Sequence, residues 1–185
     1  MGIYSRTGDT GETSELNGNR VSKNSVSIHF IGAVDELNSY LGLIKAMISN
    51  EDAWQFSWQS ACIFIERTQK NLMKLMAHVS DVKNSNFFFT VDDVKEMEKE
   101  IDRLSDNIPK QKKPAIPGKN IIEAQIQIAR TVARRAERSF VAVNEKEPLC
   151  SHACAYLNRL SDYLYVLSQQ ESLINVNFIN QVAGI

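Results

Sequence analysis

The stretch from Gln127 to Arg138 contains neither Gly nor Pro, is rich in good helix formers, and sits inside an apolar periodicity that continues on both sides. At about 100° per residue, Arg130, Arg134 and Glu137 fall on one narrow stripe, because i, i+4 and i+7 nearly complete two turns. Ile122, Ala129, Ala133, Ala136 and Phe140 run beside that stripe, and Ile121, Ile128 and Val132 lie on its far side. A helix apolar on two sides, with two guanidiniums and a carboxylate in the seam between, is unlike an ordinary surface helix. Guanidinium keeps its charge and forks onto phosphate oxygens, so two of them in one seam suit a bound polyanion. The competing interpretation of a charged stripe is a solvated face laced with i, i+4 pairs, and Arg135 and Arg138 are assigned to it.

The length of 185 residues suffices for one domain with a real core, and no linker divides it, so a single domain over 1–185 is expected. A net charge of -1 gives no basic surface of the kind that nucleic acid demands. No apolar run approaches a membrane span, and residues 1–13 are polar rather than signal-like. Three cysteines, an odd number, fit a reducing compartment better than a disulfide framework, so a cytoplasmic protein is expected. Cys150 and Cys154 could share a helix face, but no second ligand cluster at metal-site spacing accompanies them. His29 and His78 are isolated and carry no inference.

Residues 1–32 read as an ordered non-helical segment, broken by Gly8, Gly11 and Gly18, with Asn17-Gly18 as a turn signal. Ser5-Arg6-Thr7-Gly8-Asp9-Thr10-Gly11 offers backbone N–H groups and hydroxyls that can form an anion-binding nest, to which Arg20 and Lys23 could add charge; a plain polar arm is the alternative. No Walker A pattern is present. Helices are expected over 33–49, 53–79, 91–107, from Asn120 to about 144, and 148–171, with 172–185 a tail. Thr90 is the expected N-cap of the third, Asn120 with Glu123 a capping box for the fourth, and Pro148 the first turn of the fifth. Leu37, Leu41, Ile44 and Ile48 form one core stripe, Trp54, Trp58, Ile65, Leu72, Leu75 and Met76 another, and Leu157, Leu160, Leu164 and Leu167 a third. Asp35, Asn38, Ser39 and Gly42 make a small polar face suited to another subunit or a ligand. The fold class is all-α, an antiparallel five-helix bundle of ferritin-like up-down character with a non-helical N-terminal segment.

Three blocks together resemble the PduO-type ATP:cob(I)alamin adenosyltransferases. The first runs from Ile3 to Gly11 and continues through Arg20-Val21-Ser22-Lys23 to Gly32-Ala33-Val34-Asp35-Glu36-Leu37-Asn38-Ser39. The second is Ala129 to Arg138, and the third is Leu157-Asn158-Arg159-Leu160-Ser161-Asp162-Tyr163-Leu164. The resemblance implies a homotrimeric bundle with active sites between subunits, moving the 5′-deoxyadenosyl group of ATP to cobalt of cob(I)alamin and releasing tripolyphosphate, with Mg²⁺. It implies that Ser5, Arg6, Thr7, Gly8, Asp9, Thr10, Gly11 and Thr13 wrap ATP, with Lys23 on the phosphates. Arg130 and Arg134 are likewise assigned to the nucleotide, Glu137 to the ribose or metal–phosphate region, and Asn158 to the adenosyl end. Asp35 is implied to pair with Arg130 across the subunit boundary.

Departures from the family pattern cluster on the corrinoid side. Pro114 stands where the family has a phenylalanine that packs below the corrin and excludes the lower axial ligand, and Gly118-Lys119 replaces a Gly-Gly pair. His29-Phe30-Ile31-Gly32 replaces a pattern that often includes a Glu. Two readings follow: an adenosyltransferase weakened in activating Co(II), or a non-catalytic ATP- or corrinoid-binding relative acting as sensor or carrier. A bundle without a ligand is the third.

Overall fold

The computed structural model describes residues 3–4, 6–49, 55–106, 108–109, 116–149 and 152–183, without the side chains of 55–57 and 171–183. Two short strands, β1 (Glu12–Ser14) and β2 (Arg20–Ser22), are followed by five helices. These are α1 (Val26–Ser49), α2 (Gln55–Ser80), α3 (Val91–Ser105), α4 (Ile121–Lys146) and α5 (Ala153–Ala183). The five-helix architecture is the one the periodicity predicts.

Side-chain pairs fix the directions. Phe30 meets Phe140, and Glu36 pairs with Arg135, so α1 and α4 run antiparallel. Gln127 meets Ser168 and Glu137 meets Asn158, so α4 and α5 do too. Lys45 pairs with Glu66 and Gln69 reaches the Asn38 carbonyl, which sets α2 antiparallel to α1. Glu98 with Arg159 and Leu104 with Gln170 make α3 parallel to α5, and Arg67–Glu96 ties α2 to α3. The chain therefore runs up, down, up, down, up, with α4 between α1 and α5. The lower end holds the starts of α1, α3 and α5 and the ends of α2 and α4.

Fully buried Phe30, Leu37, Leu41, Ile44, Ile65, Leu72, Leu75, Ile126, Phe140, Leu157, Leu160 and Leu164 fill the core as the stripes require. Trp54 lies outside the described residues. Phe89 stacks on Tyr156 with centroids 4.1 Å apart, and Phe87 meets Phe89 edge-on, so the aromatic run before α3 wedges its entry against α5. Thr90 caps α3 in a capping box with Asp93. The Asn120 side chain accepts from the Glu123 N–H, as expected of an N-cap.

Three helix ends lie five or more residues from the sequence expectation, and two other features differ from it. α1 starts at Val26 rather than Ala33, because Ser25 caps it through its hydroxyl and the Ile28 N–H, and Gly32 is carried inside the helix. The segment before it holds a β-hairpin, with Thr13 opposite Val21 and Gly18 at positive φ in the turn. α5 starts at Ala153, with His152 taking the cap position (its carbonyl accepts from the Tyr156 N–H), so Pro148 sits in the connection instead of a first turn. At the other end α5 continues to Ala183, through most of the stretch expected to be a tail. On α4, Val132 is buried whereas Ile121 and Ile128 face outward, so one of its two apolar sides is open.

His78 ends up buried near the base of α2, edge-on to Phe88 at 5.3 Å, with neither ring nitrogen partnered among the described residues. Burial holds its imidazole below the ordinary value, against a weaker opposing pull from the Glu147 carboxylate. The folded state then favours the neutral ring, so this stability is present above pH 6.5 and is lost as pH falls toward the depressed value. His78→Leu is expected to flatten the fall in Tm between about pH 7.5 and about pH 5.5; equal slopes for both proteins would refute it.

Candidate active site

The middle of α4 exposes its charges because its neighbours are small. Ala129, Ala133 and Ala136 are fully buried and let the backbones of α1 and α5 approach, leaving Arg130, Arg134 and Glu137 at the edge of the contact. Arg130 and Glu137 are half-buried and Arg134 is exposed, so the seam is a groove edge rather than a sealed interior. Arg130 donates through Nε to Gln127 Oε1 at 2.8 Å. The Arg134 guanidinium has no partner among the described residues, and its carbonyl accepts from Arg138.

Glu137 Oε1 accepts from Asn158 Nδ2 at 2.9 Å across the α4–α5 contact. The Asn158 side-chain oxygen Oδ1 accepts from Arg159 Nη1 at 2.7 Å, and Arg159 reaches on to Asp162 and, through Nε, to Glu98 of α3 at 3.0 Å. Hydrogen bonds to Glu98 and then Asp162 hold the Arg159 guanidinium above its ordinary pKa, against desolvation. Arg159 thus orients the Asn158 amide, whose nitrogen is left for Glu137. Neither Arg159 nor Gln127 carries a sequence assignment; both lie one turn or less from an assigned residue, which is the signal available for them.

The N-terminal residues form a second cluster. Lys23 Nζ donates to the Gly8 carbonyl at 2.7 Å, and the Lys23 N–H donates to the Gly11 carbonyl at 2.9 Å. Arg20 donates to the Thr7 carbonyl at 2.7 Å and to Ser14 at 3.2 Å, beside Glu12. Arg6 and Gly11 take positive φ, and Asp9 closes a turn onto the Arg6 carbonyl. Arg6, Thr7, Gly8, Asp9, Thr10 and Gly11 are therefore one loop braced by two cations, and Thr13 follows in β1. Ser5 and Pro114 lie outside the described residues, and so does Cys150. Cys154 is half-buried on α5, and burial, then the Glu137 carboxylate, push its thiol up.

Among the described residues no hydrogen bond or ion pair joins the two clusters within one chain. The hairpin rests on the lower end, where the Leu16 N–H donates to Ser80 Oγ and Ser27 to Glu15, beside a cleft of about 360 Å³. Arg135 stands level with Glu36, ten residues above the start of α1, and Arg134 and Arg130 stand higher still because α4 runs antiparallel, so these two lie roughly 16–22 Å above the start of α1 along the axis. Asp35 is exposed on α1, more than a turn from the level of Arg130, and makes no bond to it here.

A family model for cobalamin adenosyltransferases matches residues 3–171. The chain belongs to that family. This cobalamin adenosyltransferase-family protein is 33% identical over 169 residues to a corrinoid adenosyltransferase of Bacillus subtilis, covering 91% of this chain and 86% of the relative. It is 33% identical over 175 residues to one of Citrobacter freundii, covering 91% and 94%. Its fold is similar to that of a PduO-type ATP:corrinoid adenosyltransferase from Lactobacillus reuteri, a phenylalanine-to-alanine variant complexed with cobalamin and ATP, at TM-score 0.84 and 28% identity over 94% of this chain and 95% of that one. An arginine-to-lysine variant complexed with ATP superposes at TM-score 0.79 and 28% identity over 97% and 96%.

Asn158→Asp sets a second carboxylate against Glu137 and raises the proton affinity of the pair. Each tenfold rise costs about 1.4 kcal/mol once both groups should be ionised. The variant is expected to melt near the parent at about pH 4.5 and progressively below it toward about pH 8. A constant gap across that range would refute the like-charge contact.

Proposed function

We propose that this protein transfers the 5′-deoxyadenosyl group of ATP to the cobalt of cob(I)alamin. The cobalt lone pair attacks C5′, the C5′–O bond breaks with its electrons, and tripolyphosphate departs. The observation that carries the reading is the seam on α4: Arg134 carries a guanidinium unpaired among the described residues, beside an Arg130 held through Nε whose terminal nitrogens have no partner among them. Cob(I)alamin is already a strong nucleophile, so the protein has to position C5′ and neutralise a multiply charged leaving group. No acid–base residue is needed for that.

In this reading Ser5, the braced loop of Arg6, Thr7, Gly8, Asp9, Thr10 and Gly11, and Thr13 of β1 wrap the nucleotide, and Lys23 leaves the Gly8 carbonyl for a phosphate. Arg130 and Arg134 take the phosphates, Glu137 faces the ribose or the metal–phosphate region, and Asn158 holds the adenosyl end. Among the described residues no cluster of three or more His, Cys, Asp or Glu is suited to hold a metal, so the donor set fits a Mg²⁺ that arrives on the phosphates. That ion supplies charge neutralisation when bound.

An assembly of copies, a homotrimer in our reading, supports this arrangement because one nucleotide spans both clusters only if they come from neighbouring chains. The open face between α1 and α4 suits it: Leu43 and Ile128, 43% and 40% exposed, stand level with each other one heptad from the Glu36–Arg135 pair. Asp35 on that face is the carboxylate for Arg130 of the next copy. No described helix is long and apolar enough to cross a membrane. We place the protein in the cytoplasm, with no nucleic-acid partner.

An anaerobic assay with ATP and chemically reduced cobalamin, followed by its visible spectrum, tests the activity. Conversion of Co(I) to the adenosylated form is expected, and Arg134→Ala is expected to slow it about 10²–10³-fold while abolishing the rise in Tm caused by Mg-ATP. No conversion by the parent chain would overturn the reading and leave a binding role. Starting from Co(II) with a reductant, Pro114→Phe is expected to speed turnover without changing the rate from Co(I). Equal effects on both would remove Pro114 from the corrinoid side.

A further inference from the structure

Gln127 occupies the inner side of the seam, 5% exposed, one turn before Arg130 on α4. Its Oε1 accepts from Arg130 Nε at 2.8 Å and its Nε2 donates to Ser168 Oγ of α5 at 2.9 Å. Ser168, fully buried, donates to the Tyr165 carbonyl at 2.7 Å and also accepts from Gln169 Nε2 at 3.2 Å. The polarity of this relay is fixed by chemistry. Guanidinium has donors only, so the amide must turn its oxygen to Arg130. The one hydroxyl proton of Ser168 goes to a carbonyl, so Ser168 meets the Gln127 nitrogen as an acceptor.

We propose that Gln127 is a positioning residue for nucleotide binding, holding the Arg130 guanidinium by its Nε so that both terminal nitrogens face out of the seam. This rests on the reading of the seam as the ATP site. An untethered arginine spreads over many rotamers, and ordering it costs binding energy each time a ligand docks. The tether settles that order in the ligand-free protein, and because the amide is neutral it takes none of the guanidinium's charge, which is left to the groups that reach its Nη edge, the Asp35 carboxylate of the next copy and a phosphate. A carboxylate at 127 would hold the guanidinium as firmly and cancel the charge. The Nη edge remains for partners from outside the chain, with the planar fork aimed by the bond behind it.

Three measurements test this. In ¹⁵N-labelled ligand-free protein, the Arg130 Nε–H signal, identified by its loss in Arg130→Lys, is expected to exchange with water more slowly than that of Arg134. Equal exchange overturns the tether with no variant at 127 needed. Gln127→Leu is expected to raise the Kd for Mg-ATP on the order of ten- to a hundredfold, and to add nothing in an Arg130→Ala background. A full effect of Gln127→Leu without Arg130 would show a role in packing alone and overturn positioning. Gln127→Glu is expected to keep the slow Nε–H exchange and still bind Mg-ATP more weakly; undiminished binding overturns the claim that a neutral tether matters. The parent chain is titrated alongside: absent ATP binding there overturns the proposed function and this role together, whereas normal binding with an unaffected Gln127→Leu overturns this role alone.

Discussion

The close packing of α4 against α1 and α5 at once is the contact on which the rest of the molecule depends. It is possible because α4 presents Ala129, Ala133 and Ala136 to its neighbours and brings its bulkiest buried side chains, Ile126 and Phe140, above and below them. Backbones that approach closely leave no room for long polar side chains inside, so the arginines of α4 emerge along the edges of the contact. One edge faces α5, where Gln127 and Glu137 find Ser168 and Asn158. The other faces α1, where Arg135 finds Glu36. Enlarging any of those alanines would push apart both contacts together, and the fold and the seam would suffer as one.

The up-down order of the helices distributes chemistry along the bundle. The N-terminal hairpin docks on Ser80 and Ser27 at the lower end. The turn before α4, where the buried Glu123 carboxylate accepts from the Gly118 and Lys119 N–H groups, sits at the upper end. Gly118 takes φ of 105° there, a conformation that a side chain would strain, so the glycine retained from the family pattern has a backbone reason. The arginines stand between the two ends.

Helix identity was legible wherever a cap and a periodic face coincide: Thr90, and Asn120 with Glu123, mark the starts of α3 and α4. It was not legible where those signals conflict. Gly32 inside α1 outweighs, in a sequence reading, a Ser25 cap whose helix opens with β-branched Val26. Strands of three residues are too short for alternation to show, so the hairpin appears in sequence only as its Asn17-Gly18 turn. The site divides the same way. Arg130, Arg134, Glu137 and Asn158 belong to motif blocks and can be named in advance. That Asn158 meets Glu137, or Ser168 meets Gln127, depends on the register of α4 against α5, which no local pattern encodes.

That register also explains which arginines are free to act. Arg67, Arg103, Arg135 and Arg159 each meet a carboxylate of their own chain, from Glu96, Glu100, Glu36 and Glu98. Exposed pairs of that kind contribute little to stability, on the order of 0–1 kcal/mol, but they cancel charge and set side-chain direction. Arg138 spends a nitrogen on the Arg134 carbonyl. Arg130 is held by a neutral amide and Arg134 by no group among the described residues, so these two alone on the seam keep an uncancelled positive charge. The stripe that the sequence marked therefore sets two uncancelled guanidiniums against the single Glu137 carboxylate, although the chain as a whole carries a net charge of -1. An anion approaching the bundle is drawn to that stripe by what its neighbours lack as much as by the two guanidiniums themselves.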